Sequence, residues 1–96
     1  MAKRSFYLVV YDIRDDRRRV RLHNRLLAYG SPVQYSVFEC LLTHEELRKM
    51  LRMIERTIRK REDHVRVYSL CEACVKKTRV YGEGREVLDD PVSIVV

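Results

Sequence analysis

The order of hydrophobic periodicities predicts an α+β fold of ferredoxin-like type, a βαββαβ sandwich with one or more additional C-terminal strands. Three observations carry this reading. Phe6 to Ile13 is short, apolar and rich in β-branched and aromatic residues, as a buried strand is. Two stretches with helical periodicity follow it, and His64 to Leu70 then alternates with the period of a strand. At 96 residues the chain is long enough for one compact core and too short for two.

The first strand sets Phe6, Leu8, Val10 and Asp12 on one face and Tyr7, Val9, Tyr11 and Ile13 on the other, so a carboxylate ends an apolar face. Asp15 or Asp16 then caps a helix that runs to about Tyr29, with Gly30 and Pro32 as its stop. Leu22, Leu26 and Tyr29 recur at helical spacing toward the core. At 100° per residue, Arg17, Arg21 and Arg25 align as a ridge on another flank. Arg18 lies beside that ridge and Arg19 nearer the apolar stripe.

Gln34 to Leu42 reads as one strand, or as two short ones bent at Ser36. Thr43 with Glu46 three residues on forms a capping box, and Leu47, Met50, Leu51, Ile54 and Ile58 make the stripe of the helix it opens. Arg48, Arg52, Arg56 and Arg59 fall mostly outside the stripe. After His64–Leu70, Thr78 to Tyr81 is a further short strand. The expected domain thus covers residues 1–82. Residues 83–96 form a linker and a terminal strand, Val92 to Val96, expected to pair within a homodimer that hides its edge.

Twenty Lys and Arg against fourteen Asp and Glu give a net charge of +6, and the excess lies in the first two thirds of the chain. Such a balance favours a polyanionic partner, a nucleic acid or an anionic surface. No stretch approaches the ~20 apolar residues that span a bilayer, and Met1 to Ser5 lead into no signal-peptide core. Cys40, Cys71 and Cys74 are odd in number and too few for a secreted disulfide framework. The cytoplasm is the expected compartment, with no membrane partner.

Asp12 is the residue that carries chemistry. A carboxylate ending an apolar strand face needs a backbone amide, an arginine or a hard cation as partner. Magnesium, or manganese in its place, accepts few protein carboxylates because it keeps waters and takes phosphate oxygens as ligands. Asp15 and Asp16 read as capping residues. Cys71-x-x-Cys74 lacks a second pair for a zinc site, so small buried hydrophobes are preferred to a shared metal site or a redox pair. His23, His44 and His64 show no metal spacing.

Val9-Val10-Tyr11-Asp12-Ile13-Arg14-Asp15-Asp16 with the arginine-rich helix behind it, then Val33-Gln34-Tyr35-Ser36-Val37-Phe38-Glu39-Cys40, then Val65-Arg66-Val67-Tyr68-Ser69-Leu70-Cys71, resemble in order the CRISPR-associated protein 2 family. The resemblance covers roughly residues 6 to 82. It implies a ferredoxin-like homodimer that acts in spacer acquisition, an antiviral defence, beside the CRISPR-associated integrase. It also implies a metal-dependent endonuclease acting on RNA or DNA, with Asp12 as catalytic metal ligand. Arg19 and Arg21 match the family's helix arginines, and Ser36 and Phe38 match the turn that flanks the site. Pro32 departs from the family, in which a basic residue often precedes the Val-Gln pair, and this bears on any phosphate contact from that spot.

Three functions follow as expectations. The first is a magnesium-dependent phosphodiesterase centred on Asp12, with Arg14, Arg17, Arg18, Arg21 and Arg25 gripping nucleic acid. The second is a non-catalytic DNA-binding scaffold that bridges integrase subunits. A toxin-like RNase ranks last. Ser36 is not expected as a nucleophile, because no His and acid partners stand at a recognisable spacing. Phe38 is weighted toward core over a base-stacking platform.

Overall fold

A computed structural model of the chain describes residues 3–82. The element order is β1 (Ser5–Asp12), α1 (Asp16–Leu26), β2 (Gly30–Gln34), β3 (Val37–Leu42), α2 (His44–Thr57), β4 (His64–Leu70) and α3 (Glu72–Lys76). The strands form one sheet in the order β2-β3-β1-β4, every neighbouring pair antiparallel. That order, with a helix in each of the two crossovers, is the ferredoxin-like arrangement expected from the sequence. The linker and terminal strand expected over 83–96 lie outside the described residues.

Period-two alternation in β1 sorts its side chains as the sequence implies. Tyr7, Val9 and Tyr11, with Ile13 just beyond the strand, join Phe38, Cys40 and Leu42 of β3 and Leu22, Leu26, Met50 and Ile54 of the helices in a single core. Leu22 and Leu26 are fully buried, each worth about 2 kcal/mol of burial. The opposite face carries Phe6, Leu8 and Val10; in register Phe6 lies between Leu41 and Leu70, Leu8 between Glu39 and Tyr68, and Val10 between Val37 and Arg66. α1 and α2 leave this second face open, while the short α3 lies against β1.

Asp15 caps α1, its Oδ2 accepting from the Arg18 amide at 2.9 Å. The Thr43 capping box is complete, with the Glu46 amide donating to Thr43 Oγ1 at 3.2 Å and the Thr43 amide donating to Glu46 Oε1 at 2.9 Å. Leu51, placed in the α2 stripe by periodicity, sits at its margin and is 37% exposed.

Three expectations are corrected. α1 ends at Leu26, and Gly30 and Pro32, expected to stop the helix, belong to β2. A Cβ at Gly30 would collide with the Glu39 carbonyl and the Cys40 side chain across the strand pair, so only glycine allows β2 to approach β3 this closely. Pro32 is tolerated because β2 is an edge strand with an irregularity between Pro32 and Gln34. Gln34–Leu42 is accordingly two elements, turning at Tyr35–Ser36.

Thr78–Tyr81 is likewise not a strand. The chain leaves β4 into α3, capped by Cys71, and Thr78 Oγ1 donates to the Cys74 carbonyl at 3.1 Å. Cys71 and Cys74, favoured as buried, are both exposed for the same reason: they bracket the first turn of a surface helix.

Candidate nucleic-acid and metal site

β1 delivers Asp12 to its last position, on the open face, directly across from His64 of β4. Its side chain is exposed, and among the described residues it makes no hydrogen bond or ion pair. Next along β4 on the same face, Arg66 Nε donates to His64 Nε2 at 2.9 Å and Arg66 Nη1 donates to the Tyr68 hydroxyl at 3.2 Å. On the open face the apolar side chains of β1 therefore run between flanking Glu39 and Arg66 and give way to a polar cluster at the Asp12 end.

The residue before Asp12 builds the surroundings of the site. Tyr11 faces the core, its hydroxyl donates to the Tyr35 carbonyl at 2.9 Å, and its amide donates to the Ser36 carbonyl at 3.1 Å. The β2–β3 turn is thereby pinned to the end of β1, which brings Ser36 to the strand end that carries Asp12. Burial lifts the Tyr11 phenol above its usual range and the nearby Arg19 charge partly offsets this, so Tyr11 stays a neutral donor. Sequence reasoning passes over Tyr11; the available signal is a hydroxyl on a core face, which needs a partner.

Arg19 closes the loop that follows. Its Nη1 donates to the carbonyls of Ile13 at 3.1 Å and Arg14 at 3.4 Å, and it pairs with Asp16. Its guanidinium is thus occupied in shaping the turn beside Asp12. Phe38 is wholly buried, with the His23 ring edge-on at 5.1 Å and Tyr11 at 6.4 Å, which is the core placement weighted by the sequence. His23, Pro32, Val33, Gln34, Tyr35 and Ser36 line an open cleft of about 630 Å³ on this side of the molecule.

The arginines divide into two groups. Arg14, Arg17 and Arg21 are exposed and form no ion pair among the described residues. Arg18 is held by Asp63 and Glu62, at 2.8 Å each. Arg25 Nη1 donates to Thr57 Oγ1 at 2.7 Å, and Thr57 in turn donates to the Met53 carbonyl at 2.8 Å. Arg18 and Arg25 therefore fasten α1 to the second half of the molecule, a structural role that their place in a run of arginines does not signal. α1 covers the face opposite Asp12, and among the described residues no hydrogen bond or ion pair joins Arg17, Arg21 or Arg25 to that carboxylate.

Among the described residues no three His, Cys, Asp or Glu side chains converge on a point. Among the described residues, magnesium or manganese would find single carboxylates as donors and no assembled cage. The exposed Asp12 carboxylate could supply one ligand, with waters, phosphate oxygens or a second chain's carboxylate to complete the shell. A zinc-type cage of four protein ligands does not fit.

The family model described as CRISPR associated protein Cas2 matches residues 5–78, the whole of the sheet and its helices. The chain belongs to the Cas2 family. It is 43% identical over 90 residues to a CRISPR-associated endoribonuclease Cas2 of Thermus thermophilus, covering 92% of this chain and 96% of the relative. The Cas2 of Streptococcus pyogenes, solved at pH 6.5, superposes with a TM-score of 0.71 at 27% identity over 80% of this chain and 99% of that one. A chain of a partial Cas6-RT-Cas1–Cas2 complex superposes with a TM-score of 0.68 at 30% identity, covering 79% and 89%. Cas2 proteins are small components of the CRISPR adaptation module, and this chain shares their ferredoxin-like core. No helix among the described residues is long and apolar enough to cross a membrane.

Proposed function

We propose that this Cas2 protein acts in spacer acquisition in the cytoplasm as a homodimer with magnesium-dependent phosphodiesterase activity on RNA or DNA. The observation that carries the reading is Asp12: an exposed carboxylate at the polar end of the open sheet face, where the apolar run of β1 stops. Leu8, Val10, Val37, Leu41 and Leu70 on that face suit burial against a second copy, and a two-fold axis near the strand ends would bring two Asp12 carboxylates together. The sequence relative named an endoribonuclease supports the activity.

In this reading Asp12 would hold the cation, whose chemistry at the site would be to polarise a phosphate and to lower the pKa of an attacking water. Tyr11 and Arg19 act as positioning residues, holding the β2–β3 turn and the β1–α1 loop on either side of the carboxylate. Ser36 lines the approach, and Arg14, Arg17 and Arg21 supply exposed positive charge to nucleic acid. Phe38 supports the turn from within the core. The test is cleavage of labelled single-stranded RNA and double-stranded DNA by wild-type and Asp12→Ala protein, with magnesium and with chelator. Cutting that needs both Asp12 and metal supports the activity; equal cutting by a dimeric Asp12→Ala protein sinks it.

The solved Cas1–Cas2 complex favours a second reading, a scaffold that bridges the integrase and holds DNA without cutting it. That reading expects Asp12→Ala to leave salt-sensitive DNA binding unchanged.

A further inference from the structure

The two exposed cysteines stand apart from everything described so far. Cys71 is the N-cap of α3 and Cys74 lies three residues on, in its first turn, so both side chains rise from the same turn of the helix. Their Sγ atoms are 3.2 Å apart, and the Cys74 amide donates to Cys71 Sγ at 3.4 Å. A small adjustment within one turn separates this pair from a disulfide, which needs sulfurs about 2.05 Å apart. Cys40 offers the contrast, buried under the sheet with its thiol pushed up to about 11.

We propose that Cys71 and Cys74 are a reversible dithiol site that exchanges with low-molecular-weight disulfides, Cys71 attacking and Cys74 resolving. The roles follow from the contacts. When the pair carries one negative charge, the Cys74 thiol and then the Cys74 amide donate to the Cys71 sulfur, holding the Cys71 thiol below its ordinary range. The same contact lifts the Cys74 thiol. A thiolate attacks, a thiol waits, and solvent reaches both.

The exchange balances without any other reagent. The Cys71 thiolate attacks one sulfur of a disulfide RSSR, breaking its S–S bond and releasing one RS⁻, which takes up the proton that Cys71 lost. Cys74 then gives up its proton and attacks Cys71 Sγ, expelling the second RS⁻, which accepts that proton. Two protein thiols become one disulfide while one RSSR becomes two RSH. Leu70, the residue before the pair, is the register partner of Phe6, so the cross-link forms where β4 hands over to the helix lying on β1.

The test equilibrates the full chain in buffers of graded reduced-to-oxidised glutathione, followed by thiol alkylation and peptide mass mapping. Wild type and Cys40→Ser should each lose two alkylatable thiols in the 71–74 peptide, reversibly with a reducing agent. Cys74→Ser should accumulate a glutathione adduct on Cys71. In reduced protein near neutral pH, Cys71 should alkylate several-fold faster than Cys74. A 71–74 peptide that stays fully reduced at every glutathione ratio overturns the proposal. So does purified protein that holds zinc on these thiols and yields them to alkylation only after chelation.

Discussion

Arg18 on α1 reaches Asp63 in the α2–β4 loop with two prongs, Nε to Oδ2 at 2.8 Å and Nη2 to Oδ1 at 3.2 Å, across 45 residues of sequence. The Asp63 side chain is 0% exposed and also accepts from the Arg59 amide at 2.8 Å, so one carboxylate closes the turn after α2 and holds α1 in place. Replacing it leaves a guanidinium and an amide short of their acceptor. Asp63→Ala should destabilise the fold by about 3 kcal/mol and lower Tm by more than about 10 °C. Asp63→Asn should retain part of the stability, because its amide oxygen still caps Arg59. Thermal melts followed by circular dichroism decide between these outcomes.

The same pair gives stability a defined pH dependence. Hydrogen bonds from Arg18 foremost, then the Arg59 amide, hold the Asp63 carboxyl below the usual carboxylate range. A depressed folded-state pKa contributes stability that is present above the unfolded value, about 3.9, and lost as pH falls through the folded value. Asp15 and Glu46, bound as helix-capping carboxylates, act with the same sign. Wild-type Tm should therefore be level from about pH 7 to 5 and drop below about pH 4, with a shallower drop in Asp63→Asn.

Substituting Asp12 should leave stability alone. An exposed carboxylate without a bonded partner among the described residues gives the fold little to lose, so Asp12→Ala should change stability by less than about 0.5 kcal/mol. Metal-dependent cleavage should vanish in that protein. A fall in activity that tracks a fall in Tm would instead make Asp12 a structural residue.

The arginines of α1 should separate by role. Arg17→Glu with Arg21→Glu should weaken nucleic-acid binding and flatten its salt dependence by about one unit of slope for every phosphate no longer neutralised, at unchanged Tm. Arg18→Glu should do the reverse, lowering Tm first, because its guanidinium is committed to Asp63 and Glu62. Equal effects of the two on binding at constant stability would refute this division.

Gly30→Ala should cost about 1 to 3 kcal/mol, since the new methyl group meets the Glu39 carbonyl and the Cys40 side chain of β3. A hydrogen-exchange map of that protein should show the loss concentrated in the β2–β3 pair.

These residues also show which parts of the molecule the sequence makes legible. β1, α2 and β4 follow their periodicities because the same residues that set the local pattern also face the core, and the Thr43 capping box needs nothing beyond its own turn. Asp12 stands out in the sequence because a charge ending an apolar face breaks that pattern. Gly30 and Pro32 read as a stop because their local preference is for turns, and only pairing with β3 makes them a strand. The partner of Arg18 lies 45 residues away, so no local pattern can tell a fastening from a phosphate contact. Cys71 as a helix cap is hidden by the rarity of sulfur in that role.

The borders of the sheet are unlike each other. At one, β2 carries a proline and an irregularity; at the other, β4 runs for seven residues in unbroken register with β1. A head-to-tail ribbon of sheets needs two receptive borders on every molecule, and among the described residues the β2 border is a poor one. Growth of the sheet by backbone pairing through β2 is therefore disfavoured, so the proline and the irregularity behind it limit how the protein can polymerise on that side.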